Sequence, residues 1–371
     1  MKVGLVLSGG GSTGAYQIGV IEALEELNIK CDIVVGTSIG SINGAMYVTN
    51  AIDKAKEMWN TLSFKSIFSE DIKYESQKDE FAVIKKYIKV ATKGGIEPSN
   101  LKQNLINCID LDKFYNSQID YGLTTVNFPS LKLVKLTKKE IKREELFDYI
   151  IGSSTVFPVF KLKNINNKKY LDGGVRDTMP YDLAIKMGAE KLIVVNTSYF
   201  FKHAKIPKKI MDKYDIKIIK PRNKTGPSLM FEAKQSMKNI KYGYNDTMKI
   251  FGKLYGNKYT FKDIADSNLF KDTKELIKIL EYLGRTFKLD DSQIYTINEF
   301  TKIIGNTLDR IELKKVRNIK DIKNILNSQE RIKFIYNKLL RNEIKGINIL
   351  KKIIYKEYLA AYYIYKKANT K

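Results

Sequence analysis

Residues 3–48 read VGLVLSGGGSTGAYQIGVIEALEELNIKCDIVVGTSIGSINGAMYV, and the fold follows from how apolar and small residues are ordered along them. Val3–Leu7 is a continuous apolar run ended by Ser8-Gly9-Gly10-Gly11, the pattern of a strand buried on both faces. Ile18, Ile21, Leu24 and Leu27 then recur at helical spacing, and Ile33 to Val35 form a second buried run. Strand, helix and strand in that order predict a βαβ unit with parallel strands. Residues 39–48 are small and apolar enough for a helix packed on a sheet, and 54–62 predict another, carrying Trp59, the chain's one tryptophan.

Working outward, residues 121–128 and 131–136 read as neighbouring strands, 144–151 as a helix, and 169–171 and 191–196 as further strands. Residues 63–100 are polar and irregular, an insertion or cap with one amphipathic helix around 81–90. The alternation predicts an α/β fold of three layers, a mostly parallel sheet with helices on both faces. Past residue 226 strand signals fade and helical spacing dominates. There Leu340, Ile344, Ile347, Leu350, Ile354 and Tyr358 line up as one apolar stripe, with Lys345, Lys351, Lys352 and Lys356 between them. The expected division is a sheet-containing domain over 1–256 and a basic helical domain over 257–371.

Charge is uneven along the chain as well. The chain carries 65 Lys and Arg against 41 Asp and Glu, a formal +24; residues 1–200 hold 26 against 23, and residues 201–371 hold 39 against 18. A near-neutral half joined to a basic half suggests chemistry in one part and an anionic partner, membrane lipid or nucleic acid, for the other. Cys31 and Cys108 are too few for a disulfide framework and point to a reducing, cytoplasmic setting. Met1-Lys2 leads straight into the first strand without the apolar region of a secretory signal, and no apolar run approaches the ~20 residues that span a bilayer. Membrane contact is therefore expected to be peripheral.

Gly36-Thr37-Ser38-Ile39-Gly40 lies between a strand and a helix, the context of a nucleophile elbow. Glycines must flank the serine because the turn is tight, and Ser38 then sits at a helix N-terminus, which favours developing negative charge. The earlier loop, Gly9 to Gly14, also satisfies GxGxxG. A dinucleotide site would require an acidic residue at the end of the second strand, and the one candidate, Asp32, stands before it. The alternative is that the amides of Gly9, Gly10, Gly11 and Gly14 face an oxyanion formed beside Ser38. The single histidine, His203, lies in a cationic stretch and makes a poor base. That leaves a carboxylate to act on Ser38, and Asp172, followed by Gly173 and Gly174 in a tight turn, is the candidate; partial desolvation must raise its pKa. No His/Cys/Asp cluster has metal-site spacing, so neither metal nor other cofactor is expected.

The order GGGxxG, GTSIG, DGG resembles the patatin-like phospholipases, and Gly152-Ser153-Ser154 with Phe157-Pro158 resembles the segment that family has before its aspartate. The resemblance covers about residues 1–255. It implies Ser38 as nucleophile, Asp172 as its base, the amides around Gly10 and Gly11 as oxyanion hole, and hydrolysis of phospholipid or lysophospholipid acyl esters through an acyl-enzyme. The basic half then has a use at an anionic membrane surface. Two positions depart from the family pattern: Thr13, where the glycine loop commonly has Arg or Lys, and Thr178, where Asn often follows Asp-Gly-Gly. A nucleic-acid-binding module leaves GTSIG and DGG unexplained. An effector whose hydrolase site is gated or inactive is the competing reading.

Overall fold

The apolar runs that open the sequence become the centre of a sheet. In this computed structural model residues 1–61, 95, 97, 99–197, 205–264, 272–316, 319–343 and 347–369 are described, and they fall into two units, Met1–Ile250 and Phe251–Lys371. The helix expected at 81–90 and His203 lie outside the described residues.

Among its described residues the first unit holds eight strands: β1 (Val3–Leu7), β2 (Ile33–Thr37), β3 (Asp120–Phe128), β4 (Lys132–Thr137), β5 (Lys163–Ile165), β6 (Lys168–Asp172), β7 (Lys191–Val195) and β8 (Asp215–Ile219). Hydrogen bonding links them β5-β6-β3-β2-β1-β7-β8, with β4 also on β3. From β3 through β8 the pairs are parallel, while β4, β5 and β6 pair antiparallel. The sheet is therefore mostly parallel. Sequence reading missed β5, which has three residues, and β8, where Asp215 and Lys217 alternate with isoleucines because the strand lies at the sheet edge.

Its helices are α1 (Ala15–Glu26), α2 (Ile39–Val48), α3 (Ile52–Thr61), α4 (Ser99–Cys108), α5 (Leu111–Asn116), α6 (Leu146–Ser153), α7 (Tyr181–Lys186), α8 (Lys208–Met211) and α9 (Ala233–Ile250). Successive strand residues point to opposite faces, which sorts them. Leu7, Val34 and Tyr121 meet α2 at Gly44, while Val6, Ile33 and Val35 pack with Leu183 and Ala184 of α7 on the other side. Helices α1 and α9 cross with almost no side chain between them: a Cβ on Gly19 would lie 1.8 Å from the Ile240 carbonyl oxygen, and one on Gly243 1.9 Å from that of Tyr16. Beside this crossing the Tyr16 hydroxyl donates to the buried Asp246 at 3.0 Å.

The second unit is mostly helical: α10 (Thr273–Thr286), α11 (Ile297–Asp309), α12 (Ile319–Asn324), α13 (Ser328–Leu340), α14 (Ile347–Ile353) and α15 (Tyr355–Asn369). It also holds a parallel strand pair that sequence reading missed, β9 (Thr260–Phe261) with β10 (Ile294–Tyr295), each only two residues long. Phe300 fills its core, edge-on to Phe261 at 5.1 Å and to Tyr295 at 5.3 Å. Thr296 with Glu299 and Asn327 with Glu330 form capping boxes that start α11 and α13. Of the apolar stripe expected over 340–358, Ile344 lies outside the described residues, and the rest falls on three helices rather than one. Leu340 ends α13 half-exposed, Leu350 and Ile354 are buried around the α14–α15 break, and Tyr358 belongs to α15. Among the described residues no helix is long and apolar enough to cross a membrane.

Candidate active site

Residues far apart in the chain meet here because two strands share one edge of β3. Gly122 to Thr124 pair with both β4 and β2, and Thr125 to Asn127 with both β4 and β6. A strand has two edges; with β4 on one, β2 and β6 must follow each other along the second. β2 runs parallel to β3 and ends with Thr37 opposite Thr124; β6 runs antiparallel and ends with Asp172 opposite Thr125. Their C-terminal ends therefore converge on adjacent residues.

Ser38 follows Thr37 directly as the N-cap of α2, with φ 55° and ψ −128°, a left-handed conformation that a side-chain-bearing residue adopts under strain. The turn is tight enough that a Cβ on Gly36 would lie 2.2 Å from the Gly40 carbonyl oxygen, and one on Gly40 2.2 Å from that of Leu7. Ser38 is buried, and its side chain lies close enough to the buried Asp172 carboxylate to oppose the rise of its pKa. Asp172 accepts the Gly174 amide on Oδ1 at 2.7 Å, within the 3-10 turn Gly173–Val175. Burial pushes the Asp172 carboxyl from 3.8 up to about 6, against the pull of the Ser38 side chain and the Gly174 amide.

The glycine loop leaves β1 beside the elbow, close enough that a Cβ on Gly9 would touch that of Ser38 at 3.4 Å. The Gly9 amide donates to the Thr178 carbonyl at 3.0 Å, so Thr178 ties the loop after Asp172 to this one through its backbone. Thr13 is fully buried and its hydroxyl donates to the Gly10 carbonyl at 2.7 Å. Where the family commonly carries a cation, this loop is thus held by a short neutral bond. Gly11, at φ 56°, approaches the Ser228 carbonyl so closely that a Cβ would sit 2.0 Å from it. Gly14 ends the 3-10 turn Gly11–Gly14 against Ile39. A narrow apolar recess of about 60 Å³ opens beside Ser38 and Gly11, lined by Ile39, Ile42, Ile151, Val156, Leu229 and Phe231.

Residues 5–185 match the model of the family described as patatin-like phospholipase. The first unit belongs to the patatin-like phospholipase family. Lysophospholipase NTE1 of Mycosarcoma maydis is 30% identical over 201 residues, 53% of this chain and 10% of that protein. Lysophospholipase nte1 of Aspergillus terreus is 60% identical over 50 residues, 14% of this chain and 3% of that protein. The chain thus spans a tenth or less of the length of these curated relatives. Among solved structures, VipD from Legionella pneumophila aligns with 97% of this chain and 88% of its own at a TM-score of 0.38 and 14% identity.

In this patatin-like domain the structure brings Ser38, Asp172, Gly174 and the Gly9–Gly11 loop together, and it sets Asp32 apart. Asp32 accepts the Val3 amide at 2.8 Å, at the start of β2 and the opposite end of the strand from Ser38. Two contributors escaped sequence reading as site residues. The buried Ser153 hydroxyl accepts the Ser38 amide at 2.9 Å, so that amide is already engaged. Gln17 holds the Ser8 carbonyl at 2.7 Å and is itself bonded by Asn43 at 2.8 Å. The sequence signal for Ser153 was its place at the end of a helix shortly before Asp-Gly-Gly; Gln17 and Asn43, inside apolar helices, have no partner in their own helix turns. Among the described residues no three His, Cys, Asp or Glu side chains group as a metal site would require.

Proposed function

We propose that this protein hydrolyses fatty acyl esters of phospholipids or lysophospholipids, with Ser38 as nucleophile and Asp172 as its base. The observation that carries the reading is the strained elbow that presents Ser38 where β2 and β6 converge, beside a buried Asp172 carboxyl that burial pushes up to about 6. Asp172 takes the serine proton as Oγ attacks the acyl carbonyl, and the resulting oxyanion faces the amides of Gly10 and Gly11. Gly9 is spent on Thr178, the Ser38 amide on Ser153, and Gly14 sits inside the 3-10 turn, which narrows the expected donor set to those two. Collapse expels the alcohol with the proton from Asp172. Water, deprotonated by Asp172, then attacks the acyl-enzyme and releases the fatty acid. The apolar recess beside Ser38 supports a hydrocarbon acyl group, and the names of the relatives support lysophospholipids as substrates. The excess of Lys and Arg past residue 200 supports work at an anionic membrane surface, and the two unpaired cysteines a cytoplasmic one.

The test is fatty-acid release from lysophosphatidylcholine, phosphatidylcholine vesicles and a p-nitrophenyl acyl ester. Ser38→Ala and Asp172→Asn should each lower kcat by about a thousandfold or more, as for residues that act as one unit. A wild type silent on every ester yet labelled at Ser38 by a fluorophosphonate would mean a gated site. Silence with no labelling would defeat the hydrolase reading.

A further inference from the structure

The second unit carries a cleft of about 650 Å³ between the last turn of α10, the start of α13 and the start of α15. Arg285, Lys288 and Lys356 line it, and no carboxylate does. The acidic residues adjacent in sequence each have a partner of their own. Glu357 lies beside Tyr282 of the lining but is neutralised by Arg331 at 2.8 Å, Glu281 accepts the amides of Asn257 and Tyr259 at 3.1 and 3.0 Å, and Glu330 accepts that of Asn327 at 2.7 Å. Among the described residues none of the three cations has an ion-pair partner. Arg285 is oriented by its Nε, which donates to the Glu281 carbonyl at 3.2 Å and leaves both Nη groups for a ligand. The charge comes from these side chains, because the first amides of α13 are already taken by Asn327 at 2.9 and 3.0 Å. The polar floor is held as well: Gln329 donates to the Thr286 carbonyl at 2.7 Å.

Three unpaired cations in one concavity repel one another, and an anion there relieves that repulsion while accepting charge-assisted hydrogen bonds. A phosphomonoester, carrying about −1.5 to −2 with three acceptor oxygens, suits such a set better than a single negative charge. Beside Lys356 in the chain stand Tyr355 and Ile353, 49% and 42% exposed, with Ile349 at 49% one turn earlier. Exposed apolar side chains next to cations fit the boundary between lipid headgroup and acyl chain, whereas a phosphate free in water gains nothing from them.

We propose that this cleft binds the phosphomonoester of a lipid headgroup, with Arg285, Lys288 and Lys356 as its ligands. The proposal is independent of the hydrolase reading, and it is tested by binding in the full chain carrying Ser38→Ala, so that turnover cannot alter the vesicles. Co-sedimentation is measured with phosphatidylcholine vesicles containing phosphatidic acid, and with others brought to the same surface charge by phosphatidylserine. Phosphatidic acid should bind better. R285Q/K288Q/K356Q should then lose about tenfold or more of that binding, while K274Q/K278Q/K302Q, which removes the same charge from exposed positions of α10 and α11, should lose about twofold at most. All six side chains are exposed or unpaired, so unchanged circular dichroism and melting verify that both variants fold. Equal losses in the two variants, or no preference between vesicles of equal charge, would overturn the cleft in favour of diffuse attraction. Glycerol 3-phosphate binding as tightly as the vesicles would overturn the lipid source and make the ligand a soluble phosphate ester.

Discussion

As the proposed base for Ser38, Asp172 would have to be ionised, and its burial opposes ionisation. Its carboxyl titrates at about 6 against an ordinary 3.8, a difference worth about 3 kcal/mol. A group with a raised folded pKa favours the folded state when protonated, and that contribution is lost as pH rises through about 6. The ionised form that the proposed mechanism needs is therefore the destabilising one. Asp172→Asn should melt higher than wild type at about pH 8, with a gap of up to about 3 kcal/mol that closes toward pH 4, where the wild-type carboxyl is also neutral. Wild-type kcat/KM should fall as pH drops through about 6. A profile flat across that range, or an Asp172→Asn protein less stable at the higher pH, would contradict this account of the carboxyl.

Two effects compete where α1 crosses α9. Replacing a helical glycine by alanine favours the helix by about 0.8–1 kcal/mol through propensity alone. At Gly243 the new Cβ would meet the Tyr16 carbonyl oxygen at 1.9 Å, a backbone contact that yields only if the helices part. Overpacking of that kind costs about 1–3 kcal/mol, so the clash should win. Gly243→Ala is expected to lower the urea midpoint without changing the m-value, and a raised midpoint would mean that the crossing is looser than described. The strands of the centre were readable from their apolar runs, and α2 from its small residues. β8, β9 and β10 were not, because an edge strand alternates with charge and a two-residue strand has no period to detect.

At the scale of the whole chain, the second unit has an apolar core of its own. Phe300, fully buried, stands with Tyr259, Phe261 and Tyr295 in a cluster drawn entirely from residues after 250. Phe300→Ala should cost that unit about 3–5 kcal/mol, read as a second-unit melting transition moved to lower temperature. A single unshifted transition would show that this aromatic cluster does not hold the unit together. Charge does not follow that division: residues 1–250 hold 39 Lys and Arg against 27 Asp and Glu, and residues 251–371 hold 26 against 14, the same excess in about half the length. Composition records that excess, but only the folded unit shows Arg285, Lys288 and Lys356 lining one cleft while Lys333 and Lys338 pair with acids.

The sequence alone determined what is local: the β1–α1–β2 order, the elbow around Ser38 with glycines on both sides, and the glycine loop beside it. Each depends on backbone sterics or side-chain period over a few neighbouring residues. Tertiary structure decided that Thr37 and Asp172 end against Thr124 and Thr125 of one strand, that Ser153 engages the Ser38 amide, and that Thr13 closes back on Gly10. It also decided the pKa of Asp172, since desolvation is a property of what packs around a carboxyl. Strand pairing joins residues distant in the chain through backbone groups that are alike at every position, so their side chains carry little record of which partner they will meet.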